Sequence, residues 1–85
     1  MVVKLEVFTK QDCPYCPKAV KAAEEAVEVL GDDVEYIKYD IAEHMDKVME
    51  YEIMSVPTMV VNGNIAFVEV PETKRLIAKL KRNMK

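Results

Sequence analysis

The sequence predicts an α/β fold in the order β-α-β-α-β-β-α, with a four-stranded mixed sheet flanked by three helices. Two segments with strand-like alternation are separated by a long stretch of helical periodicity. This arrangement is typical of parallel strands joined by a right-handed crossover. Further along, two short β-branched runs flank an Asn-Gly pair, a strong signal for an antiparallel hairpin. Helices are then expected on both faces of the sheet.

The first strand and first helix are separated by a change of period. In the strand, one side carries Val3, Leu5 and Val7, and the other carries Val2, Lys4, Glu6 and Phe8. From Pro14 to Leu30 apolar residues recur every three or four positions, which predicts a helix of about four turns. Its apolar stripe comprises Ala19, Val20, Ala23, Ala26, Val27 and Leu30, and Gly31 follows as a C-cap.

The remaining elements are shorter. Alternation predicts a second strand over Val34–Asp40, and Asp40 with Glu43 has capping-box spacing ahead of a short helix. That helix is expected to bury Met45, Val48, Met49 and Ile53. The hairpin strands are Thr58–Val61 and Ile65–Val68, and the last helix begins near Thr73 and buries Leu76, Ile77 and Leu80.

Length, charge and hydropathy exclude several classes of protein. Eighty-five residues fit one domain, residues 1–85, and a net charge of −3 offers no basic surface for nucleic acid. No apolar run approaches the roughly 20 residues that span a bilayer. Residues 1–8 are too short and too charged for a signal peptide, which predicts a cytoplasmic location. The six methionines are interpreted as core residues.

Cys13 and Cys16 are the residues that carry chemistry. A Cys-x-x-Cys pair between a strand and a helix indicates redox function, because the free N–H groups and the dipole of the helix stabilise a thiolate. Cys13 near the N-cap is the expected nucleophile, and Cys16, at the third helical position, is the less exposed resolving thiol. Pro14 suits the first turn, whereas Pro17 is expected to loosen or shift it.

Two charges and three alternatives complete this interpretation. Lys10 would favour the Cys13 thiolate and Asp12 would oppose it. A zinc site would require four ligands, and His44, the one histidine, is expected on the surface. An iron–sulfur cluster shared by two chains stays open. A structural disulfide closing so small a loop would contribute little stability.

Several motifs resemble the thioredoxin and glutaredoxin superfamily. The segment Phe8-Thr9-Lys10-Gln11-Asp12-Cys13-Pro14-Tyr15-Cys16 resembles the glutaredoxin active site, and Ser55-Val56-Pro57-Thr58 resembles the cis-proline loop. Over essentially the whole chain the sequence is similar to the small archaeal thioredoxins, which implies the minimal thioredoxin fold. The resemblance implies a cis Val56–Pro57 bond, a Val56 backbone that pairs with substrate, and a rim formed by Pro14 and Tyr15, with Lys10 three residues before Cys13.

Departures from the family patterns guide the choice of function. Asp12 stands where thioredoxins usually carry tryptophan, and Val7 where they carry a buried aspartate. The glycine pair with which glutaredoxins help to hold glutathione is missing, and Glu69 would repel that anion. The sequence therefore favours a cytoplasmic, monomeric reductant of protein disulfides without cofactor or metal. A separate thioredoxin-reductase-type donor would recharge it. A glutathione-dependent glutaredoxin and a metal or iron–sulfur carrier are the alternatives.

Overall fold

The computed structural model describes residues 2–84 and has the predicted element order. The strands are β1 (Val3–Thr9), β2 (Val34–Asp40), β3 (Thr58–Val61) and β4 (Asn64–Phe67). The helices are α1 (Cys16–Leu30), α2 (Met45–Glu50) and α3 (Thr73–Arg82), with a 3₁₀ turn at Gly31–Asp33. The strand order is β2-β1-β3-β4; β1 and β2 are parallel, and the other two pairings are antiparallel. The predicted mixed sheet with three helices is confirmed.

Each face of the sheet has its own apolar cluster. On one face, Val3, Leu5 and Val7 pack against α1 and α3. The residues of these helices that are fully buried there, or nearly so, are Ala19, Ala22, Ala23, Ala26, Leu76 and Leu80. On the other face, Phe8 packs with Tyr39 and Val60, and Val48 of α2 lies against them. The alternation predicted for β1 is therefore confirmed, because a one-residue shift would have exchanged these two sets of side chains.

The first helix begins two residues later than predicted. Pro14 and Tyr15 precede α1, Tyr15 is its N-cap, and Cys16 is its first residue, so the third helical position expected for Cys16 is wrong. Pro17 is then the second helical residue, a position at which a backbone N–H would have no partner within the helix. Of the two effects expected for Pro17, a loosened or a shifted first turn, the structure has the shift: no hydrogen bond is lost at Pro17, and the helix begins at Cys16.

The second helix is shorter and less buried than predicted. Met45 and Met49 are exposed, whereas Val48 and Ile53 are partly buried against the second cluster. Asp40 Oδ1 accepts from the N–H of Ala42 at 2.8 Å, so it forms a turn rather than a capping box. A helix of six residues makes fewer than two full turns. Only a short part of it packs against the sheet, so the side chains of Met45 and Met49 remain exposed to solvent.

The prediction that the methionines fill the core is wrong for most of those in residues 2–84. Met59, in the central strand β3, is fully buried, and Met84 is partly buried. Met54 is 96% exposed, and Met45 and Met49 are also more than half exposed. Three methionines are therefore available to a partner at the surface.

The hairpin has the predicted tight turn but begins β4 one residue earlier, at Asn64. Asn62 and Gly63 have φ values of 50° and 85°, as the central residues of a type I′ turn require. The Asn62 side chain also accepts from the N–H of Lys4 at 2.9 Å, which ties the turn to β1. None of the helices in the described part of the chain is both long and apolar enough to cross a membrane.

Candidate functional site

The two cysteines lie where β1 leads into α1. Cys13 and Cys16 form a disulfide, with their Cα atoms 5.4 Å apart. The N–H of Cys16 donates to Cys13 Sγ at 3.1 Å, so the first free amide of the helix is directed at this sulfur. Cys13 is 8% exposed and Cys16 is 5% exposed, so the predicted contrast in exposure between them is small.

The turn before Cys13 aligns the pair. Asp12 has φ 63°, a left-handed conformation that aspartate tolerates better than most residues. It lets the chain leave β1 and enter α1 within six residues. The side chains of Lys10 and Asp12 are both exposed, and both line a cavity that contains Cys13. The geometry therefore brings the opposite charges of Lys10 and Asp12 into one cavity with Cys13.

The loop before β3 faces the same site. The Val56–Pro57 peptide bond is cis, and Pro57 is buried while Val56 is partly exposed. Thr58 Oγ1 donates to the Ser55 carbonyl at 2.6 Å, which holds the ends of this loop together. Val56 and Tyr15 line two cavities in common, so they form a ridge between those cavities.

One of these two, the apolar cavity, opens beside Cys13. It has a volume of about 510 Å³ and is lined by Lys10, Cys13, Pro14, Tyr15, Ile41, Val48, Ile53, Met54, Ser55 and Val56. Lys10 carries the one charge among these residues. The sequence analysis identified five of these residues for the site but missed the contribution of α2 and of the segment on either side of it. These residues are far from Cys13 along the chain, so no local sequence pattern connects them with the cysteines.

The other cavity on the ridge, the Glu69 cavity, lies on the far side of Tyr15 and Val56. It has a volume of about 370 Å³ and is lined by Tyr15, Val56, Pro57, Val68, Glu69 and Val70. Glu69 carries the one charge among these six residues. The two cavities therefore flank the ridge with opposite charges, from Lys10 on one side and Glu69 on the other.

A third cavity, the lysine-lined cavity, reaches Cys16 from the side of β2. It has a volume of about 410 Å³ and is lined by Thr9, Lys10, Asp12, Cys13, Cys16, Pro17, Val20, Lys21, Glu24 and Lys38. Lys38 is paired in register with Val7 across β1 and β2. The sequence analysis missed Lys38, although it stands on the same side of its strand as Val34 and Tyr36. A charged residue on the side of β2 that otherwise carries Val34 and Tyr36 was the sequence feature that could have identified Lys38.

A buried carboxylate lies in β1 on the face opposite Val7. Glu6 is fully buried, and its Oε1 accepts from Tyr51 Oη at 2.9 Å. Burial, followed by this hydrogen bond, raises the pKa of Tyr51 to about 12. Burial and the same carboxylate also raise the pKa of Tyr39. The sequence analysis placed Glu6 on the correct face but did not identify its burial.

The histidine does not lie at this site. His44 is the N-cap residue of α2, is partly buried and packs edge-on against the Tyr39 ring at 4.8 Å, so its prediction as a surface residue is wrong in part. Aromatic packing explains this placement. Residues 2–84 bring together no group of three or more cysteine, histidine or acidic side chains that could hold a metal ion.

Comparisons with known proteins agree with this geometry. A family model described as the thioredoxin domain matches residues 3–81. The chain is 39% identical over 84 residues to a probable thioredoxin of Methanothermobacter thermautotrophicus, with 99% of each covered. It is also 39% identical over 82 residues to a thioredoxin of Methanocaldococcus jannaschii, with 96% of each covered. A solved protein disulfide oxidoreductase from Aeropyrum pernix has a TM-score of 0.84 at 32% identity, covering 98% of this chain and 38% of that one.

Proposed function

Because the chain belongs to the thioredoxin family of thiol–disulfide oxidoreductases, we propose that it reduces protein disulfides with Cys13 as nucleophile and Cys16 as resolving thiol. The observation that carries this assignment is the 3.1 Å hydrogen bond from the N–H of Cys16 to Cys13 Sγ. A donor aimed at one sulfur stabilises negative charge on that sulfur in the reduced protein. Cys13 also lines both the apolar cavity and the lysine-lined cavity, where a substrate can approach it.

The reaction proceeds in two exchanges. The Cys13 thiolate attacks one sulfur of the substrate disulfide, a mixed disulfide forms, and the other substrate sulfur leaves as a thiolate. Cys16 then loses its proton and attacks Cys13 Sγ, which releases the second substrate thiolate and leaves the Cys13–Cys16 disulfide. The substrate gains two electrons and the protein loses two. The short Cα–Cα separation lets Cys16 resolve the intermediate without a large movement.

The neighbouring residues position the substrate in this proposal. An extended substrate segment pairs with the backbone of Val56, beside the buried Pro57. Pro14 and Tyr15, both exposed, form the rim on the side of the cysteine motif. Lys10, also exposed, supplies positive charge to the two cavities that meet at Cys13. Each of these residues comes from one chain, which supports a working monomer.

The cycle requires a source of electrons. We infer that a separate thioredoxin-reductase-type protein returns two electrons to the Cys13–Cys16 disulfide in a reducing cytoplasm. The Glu69 carboxylate on the far side of the Tyr15–Val56 ridge supports this choice over glutathione, whose own carboxylates it would repel. Turnover of a glutathione mixed disulfide with glutathione reductase, at a rate matching protein-disulfide reduction, would instead favour the glutaredoxin alternative.

The experiment that tests the proposed function is insulin reduction with dithiothreitol as electron source. The wild-type protein should accelerate insulin precipitation, and Cys13→Ser should abolish the acceleration. When prereduced Cys16→Ser is mixed with insulin without dithiothreitol, it should complete the first exchange only. It should therefore accumulate a mixed disulfide with insulin that is visible on a non-reducing gel. Full activity of Cys13→Ser would show that the nucleophile is assigned wrongly.

A further inference from the structure

The Glu69 carboxylate occupies a position that the two exchange steps do not use. Glu69 follows the end of β4 by two residues and is exposed, between Val68 and Val70. Within residues 2–84, no side chain forms a hydrogen bond or an ion pair with this carboxylate. It is the single charge in a cavity whose other walls are Tyr15, Val56, Pro57, Val68 and Val70. An unpaired anion among apolar groups is a site at which a cation can be recognised.

The Glu69 cavity lies within reach of a bound substrate. Tyr15 and Val56 belong to its wall and also to the wall of the apolar cavity, which contains Cys13. A segment that crosses Cys13 beside Val56 must therefore pass over the ridge between the two cavities. Side chains on the two sides of its cysteine then meet different surroundings. One side meets Lys10 and aliphatic groups, and the other meets Glu69.

We propose that Glu69 is a specificity-determining residue that selects disulfides flanked by lysine or arginine and disfavours anionic disulfides. The proposal rests on the proposed function, because it concerns substrates of the same two cysteines. A substrate cation beside Glu69 is attracted by a carboxylate that has no other partner. A substrate anion, including glutathione, meets like charge at the same place. The occupant of the Glu69 cavity is therefore a basic side chain next to the disulfide of a protein substrate.

The test uses peptides with one intramolecular disulfide that are identical except for one residue beside the attacked cysteine. This residue is lysine, glutamine or glutamate, on either side of the cysteine in turn. The measured quantity is the second-order rate constant for reduction by the prereduced protein. For one of the two sides, lysine should exceed glutamine by about two- to fivefold, and glutamate should be slower than glutamine by a similar factor. This ratio should shrink between about 10 mM and about 1 M salt.

Two variants assign the effect to the residue. Glu69→Gln should bring the lysine and glutamate peptides to nearly equal rates, and Glu69→Lys should reverse their order. Glu72→Gln is the matched control, because Glu72 is exposed, carries the same charge and lies outside the cavity wall. It should leave the order and the ratio as in the wild type. Thermal unfolding of each variant shows whether the fold is kept.

The outcomes separate the two proposals. Equal rates for all peptides with the wild type, or an unchanged ratio in Glu69→Gln, would overturn the role of Glu69 while leaving disulfide reduction intact. If the ratio of the lysine-peptide rate to the glutamate-peptide rate also falls in Glu72→Gln, the preference arises from the overall charge of the protein. That result would equally overturn the role of Glu69. Failure of the wild type to reduce even the glutamine peptide would overturn the proposed function itself.

Discussion

Tyr51, the C-cap residue of α2, donates a hydrogen bond of 2.9 Å to Glu6 of β1, although 45 positions separate them in the chain. Glu6 is fully buried, and among the described residues its Oε2 has no partner. The bond therefore satisfies one oxygen of a buried carboxylate and holds the end of α2 against the sheet. Ile53, two residues further on, lines the apolar cavity, so this contact also supports one wall of the site.

Removal of the Tyr51 hydroxyl should destabilise the fold. Tyr51→Phe removes the 2.9 Å hydrogen bond to Glu6, and an unsatisfied buried group costs about 1–3 kcal/mol. Urea unfolding measures the loss. Tyr36→Phe is the matched control, because the buried Tyr36 hydroxyl has no partner within residues 2–84 and its removal should cost little. Equal losses in the two variants would contradict the role assigned to the Tyr51–Glu6 bond.

The same contact predicts an alkaline loss of stability. The pKa of Tyr51 is raised from 10 to about 12, because burial and the Glu6 hydrogen bond favour the neutral phenol. Between these two values the unfolded chain has lost a proton that the folded chain keeps, so the free energy of unfolding falls as the pH rises. The contribution is complete below pH 10 and is lost by about pH 12.

Urea unfolding between pH 10 and about pH 12 measures how the free energy of unfolding changes with pH. This free energy should decline less steeply in Tyr51→Phe than in the wild type. Some decline should persist in the variant, because burial also raises the pKa of Tyr36 and of Tyr39. An identical slope in both proteins would show that Tyr51 is not the group that titrates.

The features that the sequence could predict are local ones. Alternation over Val34–Asp40 and the Asn62-Gly63 turn depend on neighbouring residues, and β2 and the hairpin turn are found there. The start of α1 was missed because Pro14 is compatible both with a first helical turn and with the loop before it. The Cys-x-x-Cys spacing is local in the same sense, and Cys13 and Cys16 form a disulfide in the structure.

The features that it could not predict depend on contacts between distant segments. The burial of Glu6 is one of these features, because its partner Tyr51 lies 45 positions further along the chain. The apolar cavity is assembled from β1, α1 and the segment around α2, so its walls have no common motif. Met54 has an apolar side chain, and the sequence around it does not reveal that this side chain is left exposed to solvent.

The two environments of methionine predict different effects on stability for the same substitution. Met59→Ala removes a fully buried side chain from β3 and should cost about 2–5 kcal/mol. Met54→Ala should change stability by less than about 0.5 kcal/mol, because Met54 is 96% exposed. Urea unfolding compares them. Since Met54 lines the apolar cavity, its variant should instead raise the KM for a peptide with an apolar flank by about fourfold. A large stability loss in Met54→Ala would contradict its exposed placement.

The charges beside Cys13 lead to a paired prediction about its reactivity. Lys10 and Asp12 both line the lysine-lined cavity together with Cys13, and each acts on the thiolate through space. Lys10→Gln should therefore slow alkylation of reduced Cys13 at neutral pH by about two- to fivefold, since a stabilising cation is removed. Asp12→Asn should accelerate it by a similar factor. Asparagine also tolerates φ 63°, so the turn before Cys13 is kept.

The measurement that checks this pair is the rate of reaction with iodoacetamide. The reagent is uncharged, so a change in rate reports on the thiolate and not on attraction of the reagent. Lys74→Gln is the control, because Lys74 is exposed on α3 and does not line the apolar cavity, the lysine-lined cavity or the Glu69 cavity. High salt should weaken both effects, since Lys10 and Asp12 are exposed to solvent. Rates that move in the same direction in Lys10→Gln and Asp12→Asn would show that local structure, and not charge, controls the nucleophile.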